Sequence, residues 1–234
     1  MCKKSAGTDI EGRLERKIFE NMKKRILCFG DSNTWGHDGK DGSRFEEGIR
    51  WTSRLQMLLG DNYTVIEEGH NGRTTVLDDP FENRMAGLKY LWPCMDSQSP
   101  IDLIIIMVGT NDTKVYFGCE ATSIAKGAGR LVTMAQQSTF GRNNRAPEIL
   151  LVSPILIFEE NGLQYLFNAD SVRKSKEFAR EYELVAKELG CHFMDAAKFA
   201  VPGTDDGIHL DQEGHEKLAQ AMYKKVLEIL EERA

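Results

Sequence analysis

An α/β fold built on a doubly wound parallel sheet is predicted by three features of this 234-residue chain. Five short apolar runs recur along it, stretches of helical spacing separate them, and most of the runs stop at a glycine or a small polar residue. Continuous apolar runs suit strands buried on both faces. Alternation of strand and helix over a whole chain is the pattern of a parallel sheet covered by helices.

The predicted strands, in order, are Arg25–Phe29, Tyr63–Glu67, Asp102–Val108, Glu148–Val152 and Cys191–Met194. Trp51, Leu55, Leu58 and Leu59 form the first helical stripe, and Ile124, Ala128, Leu131, Val132 and Ala135 the second. Phe178, Tyr182, Val185 and Leu189 continue the series. Leu218, Met222, Val226 and Leu230 mark the last helix, with Asp211 as its expected N-cap. Residues 1–22 read as an N-terminal extension, unstructured over Met1–Thr8 and helical over Asp9–Met22, ahead of one domain spanning 23–234.

Composition narrows the function. With 41% hydrophobic and 28% charged residues, the chain has the make-up of a soluble globular protein. Its net charge of −6, with both signs mixed, gives no reason to expect nucleic acid or an anionic membrane as a partner. Five cysteines (Cys2, Cys28, Cys94, Cys119, Cys191) without a CxxC pair read as reduced thiols, which points to the cytoplasm. Cys2 suggests no lipid anchor, because no apolar segment surrounds it, and no run is long enough to span a membrane.

In open parallel sheets the chemistry collects at the carboxyl ends of the strands, and the unusual residues of this chain fall there. Gly30-Asp31-Ser32-Asn33-Thr34-Trp35-Gly36 follows the first strand. A serine just past a buried strand can present its hydroxyl at the top of the sheet, but it needs a base in reach to act as a nucleophile. This segment alone leaves open whether Ser32 attacks a substrate or caps a helix. Asp205-Asp206-Gly207-Ile208-His209 precedes the last helix. An aspartate three residues before a histidine can accept from Nδ1–H and leave Nε2 to take a proton. Asn71-Gly72-Arg73-Thr74-Thr75 and Gly109-Thr110-Asn111-Asp112 follow the second and third strands. The amides of Ser32 and Gly72, with the Asn111 side chain, could supply three donors to one oxyanion.

The ordered set GDSNTWG, NGRTT, GTND and DGIH resembles the four blocks of the SGNH (GDSL-like) hydrolase superfamily, and most resembles its bacterial arylesterase and acyltransferase branch. The likeness runs from about Lys23 to the C-terminus and includes VIEEG, DLIIIM and TNDTK. It implies Ser32 as nucleophile, His209 as base and Asp206 as its partner, with Ser32, Gly72 and Asn111 forming the oxyanion hole. It further implies a flavodoxin-like three-layer α/β/α sandwich around a five-stranded parallel sheet. The expected activity is hydrolysis of short-chain acetyl or aryl esters through an acyl-enzyme. Transfer to another alcohol, or deacetylation of carbohydrate by the same triad, are variants of it. A non-catalytic flavodoxin-like binding module is the contrasting reading. Asn33, Trp35, Arg73 and Thr113 are the expected substrate-binding residues. Asn33, His37 and Asp38 depart from the commoner pattern, which leaves substrate preference open.

No metal-ligand spacing such as HExxH and no GxGxxG or Walker loop is present, so neither a metal nor another cofactor is expected. His70 is read as a neighbour of the site, His192 as structural, His215 as exposed, and Asp31 as holding its loop through backbone amides. Trp51 is assigned to the core. Apolar residues in Tyr116–Cys119 and in Ile155–Phe167 (Ile157, Phe158, Leu163, Tyr165, Leu166, Phe167) either roof the pocket or join subunits, and a homo-oligomer is expected.

Overall fold

The computed structural model describes residues 22–159 and 166–231. The expected N-terminal helix, save Met22, lies outside them, as do Cys2, Leu163 and Tyr165. Five strands pair in the order β2-β1-β3-β4-β5, all parallel. They are β1 (Lys24–Gly30), β2 (Tyr63–Gly69), β3 (Leu103–Met107), β4 (Glu148–Ser153) and β5 (His192–Asp195). The helices are α1 (Ser32–Trp35), α2 (Trp51–Leu59), α3 (Gly87–Gln98), α4 (Ala121–Gln136), α5 (Ala169–Leu189) and α6 (Gln212–Glu231). The predicted strands are all present, shifted by at most two residues at their ends.

The pleat divides the sheet's apolar residues between two cores. Leu27, Phe29, Ile104, Ile106 and Leu151 face α3, α4 and α5. Ile26, Cys28, Ile105, Leu150 and Val152 face α2 and α6. Helices on both faces make the three-layer sandwich. Chain order reverses beside β1, with β2 on one side and β3 on the other. The crevice outside the ends of β1 and β3 is therefore where an open α/β sheet binds its ligand.

One reading of a helical stripe needs correction, and one helix goes unmarked in the sequence pattern. Leu58 points to solvent, because Trp51, Leu55 and Leu59 already cover the buried arc of α2. Helix α3 was not expected, since Pro93 interrupts its pattern and would ordinarily break a helix. Pro93 sits on the exposed side, while Leu91, Cys94 and Met95 pack into the core. That burial favours the helix over its broken hydrogen-bond pattern. Asp211 does cap α6, accepting from the Gly214 amide at 2.8 Å.

His215 is fully buried, not exposed. It lies one turn before Leu218 on the inward stripe of α6, and its Nδ1 accepts from the Trp51 amide at 3.2 Å. That amide is one of the donors left without an intrahelical partner at the start of α2. Burial, then the charges of Arg54, His209 and Arg50, push the imidazole down to about 3. The unfolded chain therefore takes up this proton first as pH falls, so the contribution is complete above about pH 6.5 and erodes below it. In denaturant titrations the wild type should lose about 1 kcal/mol more than His215→Gln between about pH 6.5 and 5.5. Equal losses in the two proteins would refute a neutral buried imidazole.

Candidate active site

Four loops at the carboxyl edge of the sheet build the site. The first is the turn into α1, where Asp31 caps the helix by accepting from the Asn33 amide at 3.0 Å. This is the loop-holding part expected of Asp31, and burial raises its carboxyl to about 6. Ser32 follows at once, with its Oγ 2.8 Å from Nε2 of His209. The histidine's Nδ1 lies 2.5 Å from Asp206 Oδ2. Asp206 Oδ1 accepts from the amides of Ile208 and His209 at 2.8 and 2.9 Å. Gly207 makes this hairpin-tight arrangement accessible by adopting φ +68°. Burial raises the Asp206 carboxyl, but the hydrogen bond and charge of His209, with the two amides, bring it down to about 2. The carboxylate is thus ionised wherever His209 would act as a base.

Nδ1–H donating to Asp206 leaves Nε2 as the acceptor for the Ser32 hydroxyl, which is the arrangement a nucleophilic serine needs. The three expected oxyanion donors line the same cleft as Ser32 and His209, a volume of about 670 Å³. Among the described residues, neither the Ser32 nor the Gly72 amide donates to another protein group. Gly72 holds φ +76°, a left-handed conformation that glycine adopts without the clash of a Cβ. The Asn111 side chain donates to Arg73 O at 3.2 Å, which holds its amide group beside the second loop.

Cross-ties between loops decide which residues remain free for a substrate. Asn33 donates to Ile208 O at 3.3 Å and accepts from the Leu210 amide at 2.9 Å. It therefore clamps the histidine loop to the serine loop and does not line the cleft, contrary to expectation. Arg73 is buried and donates to the carbonyls of Gly30 and Glu68, with its guanidinium over the Phe29 ring. Thr113 donates to Thr110 O at 2.7 Å inside its own turn. Trp35 packs beneath the Arg44 guanidinium. These three also lie outside the cleft lining, because backbone carbonyls and a neighbouring cation have claimed their polar or aromatic faces.

Other residues form the walls instead. Leu166 and Phe167 line the cleft, and Phe167 packs with Ile157 and Ile208. The apolar loop is thus mostly tucked inward, with Ile157 and Phe167 buried and Phe158 half-buried. Tyr116, Phe117 and Cys119 are half-buried as well. Glu82, Arg84 and Lys114 also line the cleft. Lys114 is 1% exposed and held by Glu82 at 2.6 Å and Asp79 at 3.1 Å. Asp112 is buried and bonds the Thr75 amide and hydroxyl, tying the third loop to the second. Burial lifts its carboxyl to about 7.

His37 lies with its ring centroid 4.1 Å from that of His209. His37, Asp206 and His209 are, among the described residues, the group of potential metal ligands found together. Asp206 and His209 already bond each other, and His209 also bonds Ser32. His70 stays beside the site, as expected, but does not line the cleft. His192 sits in β5, 3.4 Å from Glu148.

The model of the GDSL-like lipase/acylhydrolase family matches residues 28–217. Among solved structures, the inhibitor-bound aryl esterase of M. smegmatis is 39% identical. The alignment covers 88% of this chain and 100% of that one, with a TM-score of 0.84. A carbohydrate acetylesterase from Sinorhizobium meliloti is 38% identical over 89% of this chain and 100% of that one, at 0.83. A member of the lipolytic G-D-S-L family from Veillonella parvula shares 17% identity, covers 88% of this chain and 98% of its own, and at 0.59 shares the fold. No curated protein matches. On the extent of the family match and the identity to these esterases, the chain belongs to the GDSL-like lipase/acylhydrolase family.

Proposed function

We propose that this protein is a serine esterase for small esters with short acyl chains, working through an acyl-enzyme. The observation that carries the reading is the unbroken relay Asp206–His209–Ser32 opening on a cleft lined by Gly72 and Asn111. Ser32 Oγ bonds to the ester carbonyl carbon while its proton passes to Nε2 of His209, and the carbonyl electron pair becomes an oxyanion facing the three donors. Collapse expels the alkoxide, which takes the proton from His209. Water then repeats the sequence on the acyl-serine and releases the acid. An alcohol in place of that water gives acyl transfer.

A fluorophosphonate probe followed by peptide mass spectrometry tests this directly. The adduct is expected on Ser32 and on no peptide of Ser32→Ala. An unlabelled wild type would remove the reading. Asn111→Ala is expected to lower kcat about 10²–10³-fold with KM little changed, because its donor acts on charge that exists only in the transition state. A loss below about tenfold on an aryl acetate would take Asn111 out of the oxyanion hole.

Carbohydrate acetyl esters are the second reading. Asn71, Lys40 and Asp41 give the cleft a polar lining suited to hydroxyl groups. The cytoplasmic setting and the homo-oligomer belong to the same proposal. Cys28, Cys94, Cys119 and Cys191 unpaired support the first, and Phe81 and Met85, 75% and 54% exposed, support the second. Among the described residues no helix is long and apolar enough to cross a membrane.

A further inference from the structure

The charged wall of the cleft is almost fully paired within itself, and Arg84 is the exception. Glu82 is bound by Lys114, and Lys114 is shared with Asp79. Arg84 Nε is buried with no hydrogen-bond partner, and among the described residues no carboxylate lies within ion-pair distance of its guanidinium. Arg84 as a whole is half-buried, but its Nε–H is shielded from solvent, and a buried donor left unanswered is costly and ordinarily meets an acceptor. Here the open side of Arg84 is the cleft that holds Ser32.

Its position is also well determined. Asp79 and Arg84 exchange both backbone hydrogen bonds, at 2.8 and 2.9 Å. The Asp79 carboxylate anchors that tight loop, accepting from Tyr116 Oη at 2.5 Å, from Lys114, and from the amides of Phe81 and Glu82. The Arg84 stem then passes over Gly72. A Cβ built on that glycine would lie 2.9 Å from Arg84 Cγ and 3.4 Å from its Nε. The Arg84 stem and its Nε thus lie beside one of the proposed oxyanion donors. Glu82 Oε2 comes within 3.2 Å of the same built Cβ, and its charge there is offset by Lys114, which it holds at 2.6 Å.

We propose that Arg84 forms an anionic subsite, and that the enzyme prefers esters carrying a carboxylate near the reacting carbonyl. This rests on the esterase reading above. The planar guanidinium fork matches a carboxylate in a way an ammonium does not, so the preference depends on arginine and not on charge alone. The carboxylate can belong to either half of the ester. The test therefore has two arms.

In the acyl arm, phenyl hydrogen adipate is compared with phenyl hexanoate. In the alcohol arm, 4-acetoxybenzoate is compared with 4-acetoxybenzamide. In the arm that matches the natural substrate, the wild type should show a kcat/KM ratio of charged to neutral ester of about 10 to 100. The ratio should fall toward unity in Arg84→Gln, with Arg84→Lys in between. A wild-type ratio at or below unity in both arms overturns the proposal, as does an Arg84→Gln variant that lowers both members of each pair equally. If the wild type hydrolyses none of the four, the esterase reading fails by itself. Calorimetric titration with adipate and with benzoate then judges Arg84. Binding that is lost in Arg84→Gln upholds the subsite, and binding that is absent or unchanged rejects it.

Discussion

Ser32→Ala is expected to lower kcat on a nitrophenyl ester by about 10⁶-fold, and His209→Ala by a similar factor. The reason is the single 2.8 Å contact between them. The hydroxyl is not nucleophilic without the imidazole, and the imidazole has no proton to take without the hydroxyl. Losses from parts that act as one unit do not add. The double variant Ser32→Ala/His209→Ala should thus be no slower than either single one. Steady-state rates of the three variants check this, with purification from a host lacking background esterase. The activity left over water reflects the oxyanion hole and binding, at about 10³–10⁴-fold. Loss factors that multiplied in the double variant would show two independent functions and break the relay.

Asp206→Asn is the second large effect, about 10⁴-fold in kcat with KM nearly unchanged. Asp206 uses its two oxygens differently. Oδ1 accepts from the Ile208 and His209 amides, and Oδ2 faces His209 Nδ1. In the asparagine variant the side-chain oxygen stays on the two amides, which can only donate. The new NH₂ then faces Nδ1 and forces it to accept. The imidazole proton moves to Nε2, where the Ser32 proton should go, and the base is blocked with the loop intact. A near-native melting temperature together with the lost turnover would separate this from misfolding. A loss below about tenfold would mean that Asp206 does not set the tautomer. The same carboxylate links to acid stability. Its folded value of about 2 lies below that of a free aspartate, so its contribution is complete above about pH 4 and is lost as pH falls through about 2.

Much of this molecule was legible before any coordinates. Buried parallel strands must be apolar on both faces, so β1, β3 and β4 stand out as continuous runs. The amphipathic stripes of α4 and α5 follow from covering that sheet. Helix α3 was hidden because a proline inside the pattern outweighs a four-residue stripe in any local reading. His215 was misread for a similar reason. A polar residue in the first turn of a helix looks exposed until the neighbouring helix brings an orphan amide to it. The catalytic candidates were easier, since a serine, an Asp-x-x-His turn and two glycine-asparagine loops all fall at strand ends.

The residues meeting the substrate were the least legible. Asn33 and Arg73 stand inside the four blocks and Thr113 directly after one, yet their polar groups face backbone carbonyls and amides. Arg84 and Leu166 stand outside the blocks and line the cleft. Nothing local distinguishes a side chain that ties two loops from one left facing the space between them.

From its order of residues alone, the chain determined the parallel sandwich and pointed to its candidate serine, histidine and aspartate. Both follow from short-range facts: burial period along a strand, and three-residue spacing in a turn. The folded structure alone decided which polar groups are satisfied internally and which are left over. Hydrogen-bond partners come from segments distant in the chain, so the vacancy that recognises a ligand exists only once every other pairing has been made.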